Sequence, residues 1–160
     1  MPLIELTTNI NAPIERCFDL ARSIDLHILS TEGTDEKAIA GVTSELIAQN
    51  EEVTWRANHF GISQTLSSRI TAFERPYHFR DEMIRGAFKS IEHDHIFHES
   101  GGRTVMKDIF YFESPGWIFG AMVNRLFLTR YLRSVLTKRN RMIKRVAESD
   151  HWKEILNLRS

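Results

Sequence analysis

Cysteine is almost missing from this chain of 160 residues: Cys17 stands alone, so neither an internal disulfide nor a cysteine-built zinc cluster can form. Proline is scarce as well, with four in all and none after Pro115. No apolar run reaches the roughly 20 residues of a membrane-spanning helix. The start, Met1-Pro-Leu-Ile-Glu5, lacks the charged beginning and apolar stretch of a secretory signal. These absences predict a soluble, cytoplasmic protein. Gly101-Gly102 has neither the later glycine nor the lysine of a phosphate-cradling loop, and no Gly-x-Ser-x-Gly nucleophile turn occurs. Charge of one sign is also lacking, because 21 Lys and Arg balance 21 Asp and Glu, which argues against a nucleic-acid partner.

What is present suits one globular domain over residues 1–160: 42% of the residues are apolar and 26% charged. The charge balance conceals a polarity along the chain. Residues 1–113 hold 11 basic against 18 acidic side chains, whereas residues 114–160 hold 10 against 3. A basic C-terminal helix facing solvent beside an acidic sheet accounts for this; peripheral contact with an anionic membrane or partner is the alternative.

Leu3 to Ile10 reads as a strand. After Pro13, the apolar positions Ile14, Cys17, Phe18 and Ala21 fall on one helix face, which makes Cys17 a small buried hydrophobe rather than a nucleophile. A second short helix follows, with Ser23 as its N-cap. From Val42 to Ser114, extended runs at 43–48, 53–60, 62–73, 79–85, 89–98 and 104–113 are separated by turn residues, as in a meander of hairpins. Ser114-Pro115 then opens a helix expected to run from Trp117 to about Glu148. Its apolar stripe comprises Ile118, Met122, Leu126, Leu132, Leu136, Ile143 and Val146, widened by Phe119, Val123, Phe127 and Tyr131. A helix so broad in its apolar face needs the concave side of the sheet. The expectation is an α+β fold: a seven-stranded antiparallel sheet wrapped around a long C-terminal helix, with two short helices between strands 1 and 2.

Several segments carry a resemblance to a known family: Ala40-Gly-Val-Thr-Ser44, Val53-Thr-Trp-Arg-Ala57 with His59-Phe-Gly61, Phe79-Arg-Asp-Glu-Met83 with Gly86-Ala-Phe88, His93-Asp-His95-Ile-Phe97, Met106-Lys-Asp108 with Phe110 and Phe112, and Arg139-Asn140 with Ile143-Lys144 and Ala147-Glu148. Across nearly its whole length the chain resembles the START-like, or SRPBCC, superfamily of helix-grip ligand binders, in particular a bacterial branch of small single-domain proteins related to polyketide cyclase and dehydrase-like proteins. The resemblance implies the helix-grip fold and an internal cavity for a small, largely apolar molecule such as a lipid, polyketide or aromatic compound. It implies no cofactor.

Alternation along the strands selects the inward side chains. The expected ligand-binding set is Trp55, His59, Gln64, Phe79, Asp81, Met83, His93, His95, Phe97, Met106, Asp108 and Phe110, with Met122 from the helix. A face built only to pack on a helix would be aliphatic throughout, whereas a ligand site is mostly apolar with a few converging polar groups. Asp81, His93, His95 and Asp108 form the polar part. They are expected to anchor a ligand head group rather than a metal ion. The same residues admit a second reading, a cyclase or dehydratase in which His93 or His95, oriented by Asp108 or Asp81, moves protons on a carbonyl or hydroxyl. A third places the basic stretch Lys138-Arg139-Asn140-Arg141 with Lys144-Arg145 against acidic lipid or a protein partner.

Overall fold

The computed structural model describes residues 2–114 and 125–157. Strand β1 (Leu3–Ile10) is followed by helix α1 (Ile14–Ala21), helix α2 (Ile24–Ser30) and a 3-10 turn at Glu32–Thr34. Six further strands come next: β2 (Lys37–Gly41), β3 (Glu52–His59), β4 (Ile62–Glu74), β5 (His78–Arg85), β6 (Ser90–Ser100) and β7 (Arg103–Glu113). Helix α3 (Arg125–Ala147) and the short α4 (Trp152–Ile155) are the last elements among the described residues. The seven strands form one antiparallel sheet in the order β1-β7-β6-β5-β4-β3-β2. Hairpin connections make the meander, and only the helical link from β1 to β2 crosses from one edge to the other. The β6–β7 turn places both Gly101 and Gly102 at positive φ, 59° and 79°, as a tight hairpin turn matched to the strand twist requires. The expected α+β helix-grip architecture is the one observed.

Two local expectations need correction. Residues 43–48 are not the second strand. That strand lies earlier, at Lys37–Gly41, and the later segment binds the helices instead: Ile24 N donates to Glu45 O and Ile47 N to Arg22 O, which carries Ile47 into the core. Gly41, at φ +73°, ends the strand where an added Cβ would sit 2.2 Å from Glu52 O; only glycine tolerates both demands. On α3, Leu126 and Phe127 are exposed and Leu128 is buried in their place. Ile118, Phe119, Met122 and Val123, together with the expected helix start at Trp117, lie outside the described residues.

Helix α1 is positioned by its apolar face. Ile14, Cys17, Phe18, Leu20 and Ala21 are all buried. Phe18 meets Phe73, Phe79 and Phe97 edge-on at centroid distances of 5.2 to 5.3 Å. Ser23 caps α2, its Oγ accepting from Leu26 N at 3.1 Å. The described residues form two apolar cores. One gathers around Phe18 under the second half of α3; the other, with Ile4, Ile91, Phe110, Phe112, Leu128 and Leu136, lies under its first half. A cavity opens between them.

Candidate functional site

The cavity has a volume of about 240 Å³, just under the roughly 300–1,000 Å³ common for small-molecule sites. Strands β3 to β7 supply its floor, α2 one side and α3 its cover. Of the expected residues, Trp55, His59, Gln64, Phe79, Asp81, His93, His95 and Phe110 line it. Phe97 and Met106 do not. Both are fully buried in the first core, because α1 covers that end of the concave face and the Phe18 ring occupies the space in front of Phe97. Met83 packs beside the second core, its Sδ 2.9 Å from where a Cβ on Gly86 would stand. Asp108 lies one layer behind the cavity wall, without solvent exposure. Met122 lies outside the described residues.

Asp108 organises the polar end of the cavity. His93 Nε2 lies 2.8 Å from one of its oxygens, Asn140 Nδ2 donates to the other at 2.6 Å, and the Arg139 guanidinium stands 3.6 Å away. Register explains the convergence, since His95 on β6 lies opposite Asp108 on β7 and His93 lies opposite Asp81 on β5. The rings of His93 and His95 are 3.8 Å apart. His95 is bracketed by carboxylates: its Nε2 donates to Asp81 at 2.7 Å, while its Nδ1 faces Asp108 at 3.3 Å without an aligned hydrogen bond. Phe79 stacks on His95 at 4.1 Å, and Phe110 meets His93 edge-on at 5.2 Å.

Burial by itself would raise the Asp81 carboxyl, but the His95 hydrogen bond and the neighbouring imidazoles and Arg139 more than offset it and hold it at about 2. Asp108 is held well below the ordinary carboxylate range by the same balance, with His93 and His95 overcoming its desolvation. Burial, reinforced by His95, pushes His93 below its ordinary value despite the hydrogen bond to Asp108. The cluster therefore presents two ionised carboxylates and a neutral His93 at neutral pH.

A second polar group sits at the far end of β3 and β4. Tyr131 Oη and His59 Nδ1 share a hydrogen bond of 2.5 Å; burial keeps the His59 ring below its ordinary value and raises the Tyr131 hydroxyl. Gln64 Nε2, buried nearby in sequence register, has no partner among the described residues. His27 and Glu36 form a third pair at 2.6 Å, the imidazole lying 4.3 Å from the Trp55 ring.

The fold is shared with solved structures. A START superfamily protein from Mycobacterium smegmatis superposes with a TM-score of 0.69 at 10% identity, covering 91% of this chain and 97% of that one. The chain has the START-like fold. The major latex-like protein 151 of Panax ginseng matches it with a TM-score of 0.66 at 15% identity, over 92% of this chain and 98% of that one. A Thermus thermophilus protein matches at 0.68 and 18% identity, over 89% and 97%. No protein-family model and no curated protein matches the sequence.

On this START-like scaffold, sequence reasoning missed Arg139 and Asn140 as members of the site, placing them in a solvent-facing basic stretch. Both are buried, and Arg139 Nη2 donates to Ala21 O at 2.9 Å. Their spacing held the signal: 139 and 140 fall three and four residues after Leu136 and four and three before Ile143, on the buried stripe. His27 and Glu36 gave no such signal, because they reach the cavity from a helix and a turn rather than from the sheet. Among the described residues no helix is long and apolar enough to cross a membrane.

Proposed function

We propose that the chain holds a small, largely apolar molecule in the cavity between the sheet and α3, with the ligand's polar group at Asp81, His93 and His95. The observation that carries this reading is the space itself: two cores stand apart, and the gap between them is walled by Trp55, Leu66, Ile70, Phe79, Phe88 and Phe110 yet ends on ionisable side chains. Such groups are costly in a dry core unless something hydrogen-bonds them. The START-like fold and the family resemblance of the sequence support the same conclusion.

Binding accounts for the geometry better than proton-transfer catalysis does. A general base works best with a pKa near the operating pH, and Asp81, at about 2, is far from it. Both nitrogens of His95 face carboxylates, and burial holds His93, the other candidate, below its ordinary value, which weakens it as a base. Arg133, Lys138, Arg141 and Arg145 remain exposed on α3; peripheral membrane contact through them predicts vesicle binding that weakens as salt rises.

The test is thermal unfolding with an apolar probe such as naphthalene, alongside native mass spectrometry of protein purified without detergent. At ten times its Kd a probe should add about 1.4 kcal/mol, which for a domain of this size raises Tm by roughly 3–6 °C. A flat Tm across a probe series, with no small molecule retained, overturns the proposal.

A further inference from the structure

At Asp81 and His93 the cavity wall offers two hydrogen-bond acceptors with no donor between them. His93 Nε2 is 2.8 Å from Asp108 Oδ1, and since Asp108 is ionised, this nitrogen carries the hydrogen and donates. The neutral ring then has a bare lone pair on Nδ1. Asp81 Oδ2 faces that lone pair from 3.9 Å, too far for a hydrogen bond; the hydrogen it accepts comes from His95 on its other side. Both residues line the cavity.

Two lone-pair groups bordering one gap select what can enter it. A carboxylate would bring a second negative charge against Asp81 in an environment of low dielectric. A carbonyl brings no hydrogen. An ammonium is charged and must leave its water behind to reach so enclosed a place. Asp81 needs no such counter-charge, because His95 donates to it and Arg139 lies within electrostatic reach. A hydroxyl fits: it is neutral, donates one hydrogen and keeps a small volume. The walls beside the gap are aromatic, with Phe79 stacked on His95 and Phe110 against His93, and flat rings pack well against such faces.

Building on the proposed binding function, we propose that the ligand is a hydroxylated aromatic molecule whose hydroxyl sits on the cavity side of the Asp81–His93 pair and donates its hydrogen to Asp81, and that the site rejects the corresponding carboxylate. The cavity volume limits the ligand to a few fused rings.

Calorimetric titration of the full chain at pH 7 with naphthalene, 2-naphthol and 2-naphthoate tests this. Naphthol should bind about tenfold tighter than naphthalene, as one charge-assisted hydrogen bond allows, and naphthoate should bind more weakly than either. Asp81→Asn, which replaces an acceptor-only group by one that also donates, should lower naphthol affinity about tenfold relative to that of naphthalene and improve naphthoate. The three-ligand comparison on the unaltered chain stands whether or not the variant folds. Naphthol no tighter than naphthalene, or naphthoate the tightest of the three, overturns the inference while leaving the binding function intact. One equivalent of zinc retained through dialysis and lost in Asp81→Asn also overturns it, because the gap would then be a cation site. Failure of all three compounds to bind overturns the binding function and this inference together.

Discussion

Asp108 has no solvent exposure, and its two oxygens are met by a histidine, an amide and, at slightly greater distance, a guanidinium. An unpaired carboxylate so placed would cost several kcal/mol; this one is saturated and in turn fixes the tautomer of His93. That histidine has a consequence for pH. Facing Asp108, Asp81, His95 and Phe110, it titrates below its ordinary 6.5 in the fold, so near pH 6.5 the unfolded chain takes up a proton that the folded chain does not. Its share of the stability is complete above that value and is lost as pH falls through the depressed native pKa. Calorimetric Tm should therefore fall between pH 7 and pH 5, and fall less steeply in His93→Gln. His59, lowered by burial in the same direction, adds to the slope in both proteins. Identical slopes would assign the acid sensitivity elsewhere. Asp81 acts in a lower window, between its unfolded value of 3.8 and about 2.

Among the elements, α1 decides where the cavity ends. It is a helix of 8 residues, too short to be stable alone, and it is held by the side chain of Phe18, fully buried among three phenylalanine rings. Phe18→Ala should cost about 3–5 kcal/mol, read from urea unfolding. It should also let the probe cavity extend toward Phe97 and Met106, the two residues that strand alternation points inward but α1 covers. A loss below about 1 kcal/mol would mean that the helix is anchored mainly through its other contacts. At the far end, α4 docks by Trp152, whose ring lies 4.0 Å under the Arg16 guanidinium.

For the whole molecule, the separation of the two cores is the feature that joins stability to function. A chain optimised only for folding would close the gap, since cavities lower stability in proportion to their volume. Ala57, buried at the cavity wall on β3, is a site from which to close it. Ala57→Phe should abolish probe binding while leaving stability unchanged or raising it by up to about 1 kcal/mol, measured by denaturant unfolding and calorimetric titration on the same preparation. Loss of binding accompanied by a loss of several kcal/mol would show instead that this part of the interior is already full.

The strand meander, the two short helices with Ser23 between them, the long C-terminal helix and the inward parity of β5, β6 and β7 are legible along the chain, because periods of 2 and 3.6 are local properties. The polar constellation is legible for the same reason: Asp81, His93, His95 and Asp108 each share a strand face with aromatic or Met neighbours. Which inward residues meet empty space and which meet another side chain depends instead on packing between distant elements. Phe97 and Met106 have the same parity as His95 and Phe110, yet the first pair lies under Phe18 and the second beside the cavity. The position of β2 was likewise set at long range, by the pairing of Lys37–Gly41 with β3 and the capture of Ile47 by the core. Helical spacing put Arg139 and Asn140 on the buried stripe, but that they meet Asp108 there was set at long range, by a sheet that carries Asp108 beneath α3, a contact spanning 32 residues of sequence.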